Sequence, residues 1–145
     1  MDDEKIRQLK EYGHYYSVPR GISMKPMLKN RENVVDIVPI TTDLKKYDLA
    51  LYFRPSANQY VLHRILGVEN EYYIFYGDNC WQKERIPKEA VVGVAAQFRW
   101  HETWIPVTNL WYQMYVHLWC DFLPVRRVIF RVRDGIKRRF RKNHS

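Results

Sequence analysis

Five short runs rich in β-branched and aromatic residues, 34–40, 49–53, 60–68, 72–76 and 91–98, are separated by Pro, Asn and Gly, and this texture commits the middle of the chain to a sheet. Each run has the length of a strand and falls short of an ordinary helix. Glu69-Asn70-Glu71 joins two of the runs, and Arg54-Pro55-Ser56-Ala57-Asn58 joins another two. Both are loops of the length that connects antiparallel neighbours. The expected fold class is therefore mainly β, with a catalytic-sized domain over residues 1–105 whose sheet begins near residue 14.

The two ends read as helices. Ile6, Leu9 and Tyr12 recur at helical spacing among charges, and Gly13 supplies a stop, so a short amphipathic helix is expected over residues 3–13. After Pro106, the residues Leu110, Trp111, Met114, Tyr115, Leu118, Trp119 and Phe122 fall three and four apart, and Pro124 should end that element. Residues 106–145 thus read as a helical, basic C-terminal extension. Trp100, Trp104, Trp111 and Trp119 are expected to pack against the domain, because aromatic rings bury large areas wherever they can.

The formal charge of +8 looks like that of a nucleic-acid binder until it is located. Nine basic residues between positions 126 and 142 face a single acid, Asp134, which accounts for the whole excess and leaves the rest of the chain about neutral. In the same stretch Val125, Val128, Ile129, Val132, Ile136 and Phe140 form an apolar stripe, a pattern that suits an anionic membrane surface and equally a helix packed on its own domain. No RNA-binding box accompanies the charge, so nucleic acid is set aside as a partner.

The opening residues MDDEKIRQLKEYG have no apolar core of the signal-peptide kind, and the stretch 110–123 contains Gln113, His117 and Asp121 and is shorter than the roughly 20 residues of a spanning helix. No signal peptide or transmembrane helix is expected, and the localisation read from this is cytoplasmic, with the basic tail able to bring the domain to the inner membrane surface without spanning it. Two cysteines, Cys80 and Cys120, cannot form a disulfide framework and are read as packed thiols. His117 and Cys120 stand three apart but fall short of the four ligands of a structural zinc site, so neither metal nor other cofactor is expected.

Three strings carry chemistry. Gly21-Ile22-Ser23-Met24-Lys25-Pro26 places a serine between a glycine and a proline, where it can be held exposed and fixed, although turn serines commonly only bond the backbone. Val61-Leu62-His63-Arg64-Ile65 places a histidine in a strand, either as a packed residue or as the base that a serine hydroxyl needs before it becomes a nucleophile. Gly77-Asp78-Asn79 with the later Glu84 offers two acids that could orient His63, and Gly-Asp-Asn is also an ordinary turn.

Taken in order, Ser23-Met24-x-Pro26, His63-Arg64-Ile65, Gly77-Asp78-Asn79 and Val92-Gly93-Val94 resemble the boxes of type I signal peptidases and the related S24/S26 serine peptidases. Tyr47-Asp48-x-Ala50 is similar to the family's strand entry, and the resemblance spans about residues 16–98. His63 stands where many relatives carry a lysine, as in the endoplasmic-reticulum, archaeal and spore-former signal peptidases. The resemblance implies a serine endopeptidase acting on a peptide or precursor protein, with Ser23 as nucleophile and His63 as general base. It implies Asp78 or Glu84 as the orienting acid, with a lean towards Asp78 because it matches a box residue. The oxyanion and substrate contacts fall to Gly21, Met24 and Pro26. Gly21 stands where bacterial relatives place a serine hydroxyl, so the oxyanion hole would rest on backbone donors such as the Ser23 N–H. A silent peptide-binding or regulatory relative remains the alternative, one whose open sheet edge accepts an extended segment.

Overall fold

The computed structural model describes residues 3–80 and 82–142. It is mainly β. A short helix, α1 (Asp3–Tyr12), ends at Gly13, whose N–H bonds the Leu9 carbonyl at 3.1 Å. Eight strands follow: β1 (Tyr15–Ser17), β2 (Val34–Val38), β3 (Leu49–Arg54), β4 (Gln59–Val68), β5 (Tyr72–Tyr76), β6 (Glu84–Pro87), β7 (Val91–Trp100) and β8 (Thr103–Pro106). They form one antiparallel sheet in the order β1-β2-β7-β3-β4-β5-β6, with β8 also on β7.

All five runs expected from the sequence are strands, and both hairpins pair as the loops require. β3 and β4 pair from Leu49↔Arg64 to Arg54↔Gln59, closed by a turn in which Asn58 takes the left-handed conformation at φ 47°. β4 and β5 pair across Glu69–Glu71 with a register shift between Ile65 and Gly67. The sequence did not reveal β1, β6 and β8, which are three or four residues long and carry a Pro or polar residues.

Alternation along these strands divides the apolar residues between two clusters. Leu49, Leu51 and Leu62 join Leu9, Met24, Met27, Leu28 and Phe98, while Ala50, Tyr52, Val61 and Ile65 join Tyr73, Phe75 and Val91. Gly93 stands where β7 passes β2 most closely, since a Cβ there would lie 2.4 Å from Ile37 Cγ2 and 3.1 Å from the Val38 carbonyl oxygen. That gives the Val-Gly-Val box a packing cause.

Two helices complete the chain. α2 (Leu110–Asp121) is capped by Asn109, whose side chain accepts from the Tyr112 N–H, and it sets Tyr112, Val116 and Cys120 into the first cluster. α2 ends before Pro124, which lies instead in the first turn of α3 (Leu123–Lys142), where a proline costs no hydrogen bond. α3 touches the domain through Arg126, Arg127, Phe130 and Arg133 and is exposed over 135–141. The expectation that the tryptophans pack holds for Trp119 but fails for Trp111, which is 76 % exposed on the outer side of α2. No helix among the described residues is long and apolar enough to cross a membrane.

Candidate active site

Strand register decides what His63 can meet. His63 on β4 stands opposite Ala50 of β3, and two positions on Ile65 stands opposite Phe75 of β5, which in turn faces Glu84 of β6. Cross-strand partners share a face and alternate residues of a strand share it too, so His63 and Glu84 lie on one side of the sheet. The contact follows: His63 Nδ1 lies 3.5 Å from Glu84 Oε1 and 3.3 Å from the Tyr52 hydroxyl. Arg54 Nε donates to Glu84 Oε2 at 2.9 Å, and Arg54 Nη2 donates to Glu84 Oε1. The His63 hydrogen bond, helped by the Arg54 guanidinium, holds the Glu84 carboxyl down at about 2 against the effect of burial. Burial pushes the Tyr52 phenol well above its ordinary value, with the Glu84 charge adding to it, so this hydroxyl keeps its proton.

Arg64, the next residue on β4, turns to the opposite face. Its Nε and Nη2 each donate at 2.8 Å to the two carboxylate oxygens of Asp78, and its Nη1 donates to the Tyr112 hydroxyl and the Tyr47 carbonyl. Tyr115 donates a further bond to Asp78, and the Trp119 indole N–H donates to the Asp78 carbonyl oxygen. Arg64 and Asp78 are 0 % and 1 % exposed, a buried pair whose hydrogen-bonding capacity is filled from α2. The Asp78 charge keeps the Arg64 guanidinium firmly protonated despite its burial.

Ser23 sits in the turn between β1 and β2, half-buried and held from behind by the Gly-Asp-Asn segment. Asn79 N–H donates to the Ser23 carbonyl at 2.7 Å, and a Cβ on Gly77 would lie 2.6 Å from that oxygen. Gly77 therefore permits a backbone approach that no other residue allows. The Met24 side chain, 3 % exposed, packs inward, with its sulfur 3.5 Å from the Asp78 N–H. The Gly21 N–H is engaged by the Asn30 side chain at 2.9 Å.

A cleft of about 1010 Å³ brings these parts together, with Gly21, Ser23, Met24, Cys80, His63 and Glu84 in its wall beside the residues of β1. Asp78 and Pro26 do not line it. The lean towards Asp78 is thus corrected: its carboxylate is committed to Arg64 on the far face, and Glu84 is the acid beside His63. Tyr52 and Arg54, which no motif marks, take alternate positions on β3 and point at His63 and Glu84. His117 lies beside Tyr47 and Asp121 on the surface of α2, while Cys120 is in the core and Cys80 is a free thiol.

No protein-family model matches the chain, and no curated protein matches it either.

Proposed function

We propose that this chain is a serine endopeptidase of the signal-peptidase-like class, cleaving a peptide or precursor protein. The observation that carries the reading is a serine, a histidine and an acid lining one cleft, with Glu84 Oε1 at 3.5 Å from His63 Nδ1. Each part has a role in acyl transfer. Ser23 Oγ attacks the scissile carbonyl while His63 takes its proton and later returns it to the leaving amine. Because Nδ1 faces Glu84 and Tyr52, Nε2 is the nitrogen left to serve Ser23. Glu84, ionised at every working pH, favours the Nδ1-protonated ring and stabilises the imidazolium that forms. Arg54 holds Glu84 by two donors, which fixes the acid in the one place where it faces the imidazole.

The ordered boxes of the sequence add a second, independent support. They acquire a physical content here, because Gly77 and Asn79 buttress Ser23 and Asp78 anchors them to Arg64.

The test is covalent labelling. A fluorophosphonate probe should modify wild-type protein at Ser23 and leave Ser23→Ala unmodified, and a peptide library should be cleaved by the first only. Equal cleavage by Ser23→Ala would sink the reading. Absence of labelling over a wide pH range would favour a silent peptide-binding relative.

A further inference from the structure

Helices α2 and α3 carry a run of large apolar side chains that the fold leaves in water. Leu118, Phe122, Val125, Ile129, Val132 and Ile136 are each at least half exposed, and successive members of the run stand three or four positions apart across the break at Phe122. On α3 the stripe occupies about a third of the helix circumference at 100° per residue, and it faces away from Arg126 and Phe130, two of the residues that hold the helix to the domain. At the same spacing Arg139 falls within the stripe, and Arg131 and Arg138 flank it on one side.

We propose that this face docks on the surface of a bilayer containing anionic phospholipid, with the apolar stripe in the acyl boundary and the flanking cations at the phosphates. The proposal does not depend on the peptidase reading. Charge complementarity selects the occupant. The stretch 126–142 carries the chain's whole excess of +8, so two copies set face to face would oppose like charges across their contact. A nucleic acid would meet the cations but would gain nothing from a centre of Val and Ile. An anionic lipid surface satisfies both halves at once. Length agrees as well. The 20 residues of α3 give an axis of about 30 Å, enough to lie in the interface and too polar to cross it.

Flotation of the full chain with vesicles tests this. Phosphatidylcholine vesicles containing phosphatidylglycerol should carry the protein upward at near-physiological salt, and phosphatidylcholine alone should carry at least about tenfold less. Ile129→Asp with Ile136→Asp should lower binding by a further factor of about ten or more, because each isoleucine taken out of water contributes about a decade or more. Both side chains are outside the core, so an unchanged near-ultraviolet dichroism spectrum identifies the variant as folded. The proposal is overturned by no flotation with anionic vesicles at low salt, by equal flotation of the double variant, or by a dimer that the double variant dissociates while vesicles bind neither form. Binding of single-stranded RNA without vesicle binding would do the same.

Discussion

Arg64 lays Nε and Nη2 on the two carboxylate oxygens of Asp78, each at 2.8 Å, in a part of the core where neither residue reaches solvent. The pair explains why Asp78 is not the acid beside His63. Adjacent strand residues point to opposite faces, so whichever carboxylate is bound by Arg64 is separated from His63 by the sheet itself. The two acids therefore have different work. Asp78→Asn strands a buried guanidinium and should cost about 3–5 kcal/mol in urea unfolding. Glu84→Gln should cost about 1 kcal/mol or less, since Glu84 is partly exposed, yet lower kcat/KM about a hundredfold or more. The reverse pattern, stability lost at Glu84 and activity lost from a folded Asp78→Asn, would refute the assignment.

Glu84 also sets a pH dependence whose sign is fixed. Its folded carboxyl titrates at about 2, below its ordinary 4.5, so the ionised form is the one the fold favours. The resulting stability is complete above the ordinary value and is lost as pH falls through the folded value. The difference in unfolding free energy between wild type and Glu84→Gln should shrink as pH falls from about 4.5 to about 2. Urea titrations of both proteins across that range measure it. A difference that stays constant into the lowest pH would show that Glu84 is not held by His63 and Arg54.

Much of this could be read before any coordinates, and the parts that could not have physical reasons. Strands β2, β3, β4, β5 and β7 announced themselves because each is a run of at least five residues rich in β-branched and aromatic side chains. β6 did not, since Glu84, Arg85 and Pro87 leave only Ile86 as an apolar signal. That omission is why Glu84 was not preferred over Asp78: without β6 nothing placed Glu84 on the face of His63. The alternation of His63 and Arg64 was legible, but its use required knowing that Asp78 lies beyond Tyr76, the partner of Arg64. The periodicity of α2 was right, yet the residues that face the core are Tyr112, Val116 and Cys120, while the stronger apolar signal at Leu110, Trp111, Met114 and Leu118 faces water. Hydrophobic spacing reports a face; it does not report what covers it.

Gly77 offers a sharper test of how Ser23 is held. A methyl group there would stand 2.6 Å from the Ser23 carbonyl oxygen and 2.8 Å from Cys80 Sγ, and the first of these is backbone that cannot rotate away. The turn carrying Ser23 must shift. Gly77→Ala should cost about 1–3 kcal/mol in stability and, since a displacement of about 1 Å can cost a hundredfold in rate, lower kcat/KM by about that factor in the folded fraction. The rate of fluorophosphonate labelling per folded molecule separates the two losses. Labelling as fast as wild type would mean that Ser23 is positioned by something other than the Gly77–Asn79 segment.

Arg126 poses the opposite problem to Arg64, a buried guanidinium with little to hold it. It is 3 % exposed, its Nη2 donates to the Cys80 carbonyl at 3.2 Å, and among the described residues Nε and Nη1 have no hydrogen-bond partner. Its compensation comes from the rings of Trp119 and Phe130, whose centroids lie 5.7 and 6.0 Å from the guanidinium carbon. Cation–π contacts return about 1–2 kcal/mol, less than the several kcal/mol that burying a charge costs. The aliphatic stem, not the charge, is then what Arg126 contributes to the seat of α3, beside the bonds of Arg127 to the Tyr76 hydroxyl and of Arg133 to Asn79. Arg126→Met should leave stability within about 1 kcal/mol of wild type or raise it, because the stem contacts survive and the desolvation cost disappears. Phe130→Ala, which empties a site that is 5 % exposed, should cost about 3 kcal/mol or more and free the helix from its seat. Thermal unfolding of the two variants side by side decides between stem and charge: a severe loss in Arg126→Met would mean that the cation itself carries the attachment.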